Sequence, residues 1–207
     1  MKNYLLLLGS FFIVFISKFI PLSFIVGSQA AFFSGSTILA LLMARHSSLG
    51  MLVLFLIPFR ELSVAKLIVF LLHRAPLLFA GWSYRFVSIV ASVFIPIICL
   101  LLFVSHPIGQ QAWPYTLYWF IPVIVYLCRF ENIFLAALSS VFVAHAVGSV
   151  IWLYLYQIES EIWLSLIPIV VLERSLMALA VVAGEYSITC LYSVRYKMKL
   201  FFSGKVA

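Results

Sequence analysis

The sequence predicts an all-α fold, a polytopic transmembrane helix bundle. Two features of the composition support that prediction: 66% of the 207 residues are hydrophobic and only 9% are charged. A soluble domain has about half apolar and about a quarter charged residues, so lipid is the solvent that fits this chain. The third feature is that the apolar runs are long and unbroken, whereas strands of a membrane barrel alternate apolar and polar residues.

The pattern divides into apolar segments, several of which are short or contain a proline. They are residues 4–26, 30–44, 49–59, 64–81, 86–105, 113–128, 131–156 and 162–193. A full crossing takes about 20 residues, so 30–44 and 49–59 are either two short tilted helices or one re-entrant hairpin. We therefore predict six to eight membrane segments, some of them proline-kinked, in a single domain. This domain covers residues 1–195, and a short basic cytoplasmic tail, residues 196–207, follows it.

The distribution of charge predicts which ends of the segments face the cytoplasm. With the N-terminus inside and eight crossings, the inner joints hold Arg45, Arg85 and Arg129, and the acidic sequence QIESE falls outside. This arrangement agrees with the positive-inside rule and places both termini in the cytoplasm. With a re-entrant hairpin at 30–59, six crossings remain, every later joint keeps its side, and only the position of Arg45 is left open. We predict a multi-pass protein in the lipid bilayer of a bacterial inner (cell) membrane, with no nucleic acid partner.

Ionisable residues within the apolar segments are the candidate functional groups, because each costs about 2.5–3.5 kcal/mol to insert at the centre of a membrane helix. Glu173 and Arg174 follow Pro168 near the middle of the last segment. Neighbouring residues on a helix point about 100° apart, so these two are not expected to pair with each other. They are either a polar anchor for a small solute in a central cavity or part of a structural ion pair, for example Glu173 with Lys66 or Arg74.

Three further polar features have both a structural and a functional interpretation. His145 lies in LSSVFVAHAVGS, where Ser, Ala and Gly recur at spacings that let helices approach closely. The sequence favours helix packing there, and hydrogen bonding of His145 to a ligand is the alternative. Glu185 is expected at the cytoplasmic interface. The loop HPIGQQAWPYTLYW is expected to form an aromatic belt, or else to cap a cavity.

The sequence contains none of the common catalytic or cofactor motifs that we sought. It has no HExxH, GxSxG, P-loop or CxxC, and Cys99, Cys128 and Cys190 have no metal or redox spacing. We therefore expect a protein that is not an enzyme and that holds no cofactor or metal. Without a P-loop, the chain is not expected to use ATP itself, so transport would draw its energy from partner ATPases or an ion gradient.

The second half of the chain has an order of features that belongs to a known family. The aromatic loop precedes a long segment containing His145, and the last segment then has a proline, an acid and alanines at Pro168, Glu173, Ala178 and Ala180. This order resembles the S components, the substrate-binding membrane subunits, of energy-coupling-factor vitamin transporters, the biotin type in particular. Leu176 stands where that family has a base, and Arg174 is a displaced substitute.

The resemblance implies a function for the chain. An S component binds a vitamin-like molecule from outside in a cavity closed by a loop. It then hands the molecule inward by toppling against a membrane coupling protein driven by two ATPases. Glu173 would be the main polar contact to that molecule, with His145 and Arg174 next. The alternative, suggested by the absence of motifs and the many small-residue stripes, is a non-catalytic membrane scaffold or assembly protein.

Overall fold

The described part of the chain begins with a hairpin of two strands. The computed structural model describes residues 21–26, 29–46, 63–65, 67–68, 74–156 and 158–202. Strand β1 (Pro21–Val26) pairs antiparallel with β2 (Gln29–Ser34), with Pro21 opposite Ser34. This hairpin differs from the prediction, which placed the end of one membrane segment and the start of another there. Phenylalanines in both stretches, with Ile25 and Val26 in the first, favour strands, and Pro21 takes the first strand position, where a missing donor is tolerated.

After the hairpin, the elements that the structure delimits are helical, in agreement with the predicted class. They are α1 (Gly35–His46), α2 (Ala75–Arg85), α3 (Ile95–Ser105), α4 (Pro107–Gln111), α5 (Phe120–Leu127), α6 (Ile133–Tyr156), α7 (Ser160–Ser165) and α8 (Ile167–Phe202). A π-helical turn, Val90–Phe94, leads into α3, and a 3₁₀ helix, Trp113–Trp119, leads into α5. Helix α8 ends at Phe202, inside the residues predicted as a tail.

The described prolines that we expected to kink helices lie near the start of α-helical stretches, but only two of them follow a break in the helix. Pro76, Pro96 and Pro168 are the second residues of α2, α3 and α8, and Pro122 is the third residue of α5. The first turn of a helix has amides without intrahelical acceptors, so a proline there costs no hydrogen bond. Pro76 and Pro168 therefore mark where helices begin. Pro96 and Pro122 lie inside the continuous helical stretches Val90–Ser105 and Trp113–Leu127, directly after the π-helical turn and the 3₁₀ helix, where the helix changes its type.

Helix α6 is the centre of the bundle, and α2, α3, α5 and α8 pack around it. Its small residues permit this, as the sequence predicts: Ser140 and Ala146 are fully buried, and Gly148 lies against Pro76. Helix α1 approaches α2 closely at Gly81, where an added Cβ would lie 2.7 Å from the Cβ of Ala44. Side chains larger than hydrogen would push these helices apart.

Two helices of the described part are long and apolar enough to span a membrane. They are α6 and residues Ile167–Cys190 of α8, each 24 residues long. Shorter apolar helices run over Val90–Ser105 and Trp113–Leu127. A membrane-spanning helix takes about 20 residues, so these lengths agree with the predicted type of protein.

The arginines predicted at the inner joints gather at one end of the bundle, called here the arginine end. Arg85 donates a hydrogen bond from Nη1 to the carbonyl oxygen of Ala44 at 2.9 Å. Arg45 and Arg129 line one pocket between the ends of α1 and α5. At the opposite end, Ser160 donates to the side-chain oxygen of Gln111 at 3.1 Å. The arginines of the predicted inner joints therefore lie at one end of the fold, and Ser160, from the acidic sequence QIESE, lies at the other.

Candidate functional site

His145 lies in the interior of the bundle, near the middle of α6. Its side chain is buried, and its Nε2 atom has no hydrogen-bond partner among the described residues. The imidazole ring is tilted against the ring of Tyr115, with 5.2 Å between the centroids, and meets Phe142 edge-on at 6.1 Å. A buried polar atom without a partner is costly, so this nitrogen is a candidate for contact with a ligand.

Aromatic rings pack against one another on one side of His145, and we call this group the aromatic box. It consists of Phe103, Tyr115, Trp119, Phe142 and Trp163. Phe103 meets both Trp119 and Trp163 edge-on at 5.3 Å, and Tyr115 meets Trp163 at 5.0 Å. These edge-to-face contacts hold large rings in fixed orientations. The box therefore provides a rigid apolar wall beside the polar atoms.

Glu173 and Arg174 pair with each other, and our expectation that they do not was wrong. Nη2 of Arg174 donates to Oε2 of Glu173 at 3.3 Å, and Nη1 contacts the sulfur of Met177, also at 3.3 Å. Their Cβ atoms diverge, but the long arginine side chain bends back to the carboxylate. A pair of charges in an apolar environment gains enough from this contact to select that rotamer.

The structure brings together all three predicted site residues. The guanidinium of Arg174 lies within electrostatic range of both His145 and Tyr115, and its Nε is buried with no hydrogen-bond partner in the described part of the chain. The hydroxyl of Tyr115 lies 3.4 Å from Oγ of Ser149. We call Tyr115, His145, Ser149, Glu173 and Arg174 the Arg174 cluster. Three helical elements supply it: the 3₁₀ helix, α6 and α8.

The other ionisable candidates do not join this cluster. Lys66 lies outside the described residues, and no ion pair between Arg74 and Glu173 is present in the part that the structure describes. Glu185 is buried rather than exposed at an interface, and its Oε1 lies 3.5 Å from Nε of Arg45. The guanidinium of Arg45 lies over the ring of Tyr84, 4.7 Å from the centroid. This second set, the Glu185 cluster, joins α1, α2 and α8.

Sequence reasoning missed the contribution of Tyr115, Ser149 and Trp163. The aromatic loop was expected to be a belt or a cap, and only part of it is exposed. Trp113 is 52% exposed, whereas Tyr115 and Trp119 are 2% and 1% exposed. Both residues belong to a 3₁₀ helix, where residues four apart point in different directions, so their spacing in the sequence does not predict that both are buried.

The arrangement is suited to hydrogen bonding and ring stacking. No group of three metal-ligating side chains is present among the residues that the structure describes. Comparisons of the chain with protein-family models, with curated proteins and with solved structures find no match. The chemistry of the site is therefore interpreted from its own residues: a guanidinium and an imidazole nitrogen beside a wall of aromatic rings.

Proposed function

We propose that the chain is a multi-pass membrane protein that binds a small solute at the Arg174 cluster, within the helix bundle. The observation that carries this proposal is the pair of buried nitrogens, His145 Nε2 and Arg174 Nε, without hydrogen-bond partners among the described residues. Both belong to residues within electrostatic range of each other. Each buried polar atom without a partner costs ~1–3 kcal/mol, so these two together destabilise the fold by several kcal/mol unless a ligand forms hydrogen bonds with them.

The chemistry of the cluster defines the class of solute. A guanidinium recognises carboxylates and phosphates through charge-assisted hydrogen bonds, and Glu173 holds this guanidinium in place. The aromatic box favours a flat or ring-containing body, which stacks on or abuts its faces. We infer a solute with one acidic group and an apolar ring system, a description that includes vitamin-like molecules.

Transport is the activity that fits such a site in a membrane. The S-component resemblance adds a partner to this proposal, namely a membrane coupling protein with two ATPases. The solute would enter at the end formed by α4, the 3₁₀ helix and α7, because the aromatic box lies at these elements. On this proposal the protein performs no chemical reaction on its solute.

We propose that α1 and α2 both end at the cytoplasmic side of the membrane. Arg45 and Arg85 lie together at the arginine end, where the hydrogen bond from Arg85 to Ala44 joins the last turns of α1 and α2. Both helices therefore run toward the same end. In a re-entrant hairpin over 30–59, α1 would also run inward from the outer side, so the contact is compatible with six or eight crossings and with a cytoplasmic arginine end.

Mass spectrometry of the protein, purified gently from its native membrane, tests the proposal. The wild-type chain is expected to retain an acidic, ring-containing molecule, together with co-purifying ATPases. Arg174→Gln is expected to lower retention about 30-fold or more, the effect of losing one charge-assisted hydrogen bond. Arg129→Gln, which removes the same charge at an exposed position, is the matched control and is expected to retain the solute.

One result would contradict solute binding. If neither protein retains a small molecule and Arg174→Gln lowers Tm as far as the loss of a helix-joining ion pair does, then Arg174 is structural. The scaffold function would then be favoured, since the cluster would serve to hold α8 against α6. Retention that is equal in wild type and Arg174→Gln would place the solute elsewhere in the protein.

A further inference from the structure

A pocket of about 710 Å³ opens at the arginine end of the bundle, apart from the Arg174 cluster. It lies between the end of α5 and the start of α6, beside the last turns of α1 and α2. Ser139 lines it and precedes His145 by six residues on α6, which is ~9 Å along the helix axis. Its lining is mixed, with charged side chains, serine hydroxyls and apolar residues such as Val125 and Ile133.

The charged groups of this pocket have both signs. Arg129 and Glu131 lie in the turn between α5 and α6, where Arg129 has a left-handed backbone with φ 51°. Both side chains are exposed, and neither has an ion pair among the residues that the structure describes. Arg45 also lines the pocket, but its charge is already engaged by Glu185. Arg129 and Glu131 are therefore the groups available to a ligand.

Three largely buried serines that face the pocket provide the second, independent indication of a ligand. Ser83, Ser92 and Ser139 line the pocket and are 3%, 2% and 5% exposed. Their hydroxyls have no hydrogen-bond partner within the described ranges. Buried serines on helices commonly bond to a carbonyl of the preceding turn, as Ser140 does to Ala137. The three serines of the pocket do not form this bond, so their hydroxyls are available to donate to the oxygens of a bound molecule.

We propose that this pocket binds the headgroup of a phosphatidylethanolamine-type lipid. The phosphate would accept hydrogen bonds from Arg129 and the serine hydroxyls, and the ammonium would donate to Glu131. The apolar wall would contact the start of the acyl chains. A phosphate joined to a primary amine matches a pocket with one available cation and one available anion, and the charge pattern places the pocket where lipid headgroups lie. This proposal is independent of solute binding at the Arg174 cluster.

Native mass spectrometry with defined lipids tests the assignment. The purified protein is mixed with equal amounts of phosphatidylethanolamine, phosphatidylcholine and phosphatidylglycerol of the same acyl chains. Phosphatidylcholine has a quaternary amine that cannot donate a hydrogen bond, and phosphatidylglycerol has no amine. The wild-type chain is expected to retain phosphatidylethanolamine about tenfold more than either, the difference of one charge-assisted hydrogen bond.

Variants identify the residues that recognise the lipid. Arg129→Gln is expected to lower retention of all three lipids, whereas Glu131→Gln is expected to abolish only the preference for phosphatidylethanolamine. Glu161→Gln, at an exposed position of α7 at the opposite end of the bundle, is the control and keeps both retention and preference. Equal retention of the three lipids by the wild-type chain, unchanged in Glu131→Gln, would overturn the proposal.

Soluble ligands separate a lipid from a free phosphate ester. Phosphoethanolamine and inorganic phosphate are added to the detergent-solubilised protein, and the change in Tm is compared with that caused by the diacyl lipid. The lipid is expected to raise Tm and the two soluble compounds are not, because they lack the acyl chains that meet the apolar wall. An equal rise with phosphoethanolamine would overturn the assignment to a lipid and leave a site for a free phosphate ester.

Discussion

The two ion pairs of the described structure differ in what they connect. Arg45 and Glu185 come from α1 and α8, at a distance of 3.5 Å, and Tyr84 of α2 lies under the guanidinium. Glu173 and Arg174 are neighbours on one turn of α8, at a distance of 3.3 Å. The first pair joins helices, and the second lies within a single helix.

This difference determines what each pair can contribute to stability. Membrane helices keep their backbone hydrogen bonds when they separate from each other, because an unsatisfied peptide group in lipid costs several kcal/mol. An ion pair within one helix persists in the separated helices, so it contributes little to their association. An ion pair between helices is lost on separation and stabilises the bundle. A buried charge pair within one helix is therefore better explained by binding than by folding.

The largest effect on stability is expected from Glu185→Gln. This change leaves Arg45 without its carboxylate and should lower the free energy of unfolding by about 2 kcal/mol, less than for a fully buried pair because the Arg45 side chain is 38% exposed. Thermal unfolding in detergent should show a Tm lower by about 4–8 °C. Glu161→Gln, at an exposed site of α7, is the control and should change Tm little. An unchanged Tm for Glu185→Gln would show that the ion pair between helices stabilises the bundle no more than the ion pair within α8.

A smaller effect is expected from Gly81→Ala, which acts on the same set of helices without removing a charge. The added Cβ would lie 2.7 Å from the Cβ of Ala44, so α1 and α2 must move apart, at a cost of about 1–2 kcal/mol. Gly148→Ala is the matched control, because its Cβ would lie 3.6 Å from Pro76, an ordinary contact. If both substitutions lower Tm equally, the close approach of α1 to α2 at Gly81 contributes nothing to stability beyond the general effect of replacing a glycine.

The smallest effect on stability is expected from Glu173→Gln, about 0.5 kcal/mol or less, since the pair that it breaks lies within one helix. Solute retention, however, is expected to fall, because Arg174 loses the group that orients it. Measuring Tm and retention on the same preparation separates the two properties. A fall in Tm as large as that of Glu185→Gln would show that Glu173 holds the bundle together.

Sequence reasoning predicted the helical class and the packing role of α6, and the S-component resemblance implied that the three candidate residues share one site. His145, Glu173 and Arg174 were predicted because charged and polar groups are expensive in apolar segments, an argument that needs no contacts. The same reasoning could not pair Glu173 with Arg174, since the bend of a long side chain depends on its surroundings. It also placed Glu185 at an interface, because only the packing of α1 against α8 buries it.

The sequence by itself determined the apolar composition of this protein, the common end at which its arginines lie and the buried polar residues that need a partner. These properties follow from composition and from spacing along one helix, which are local. The tertiary structure alone decided which rings form the aromatic box, which hydroxyls line the pocket at the arginine end and which charges meet between helices. Such contacts join residues far apart in the chain, and the packing of whole helices, rather than any local preference, brings them together.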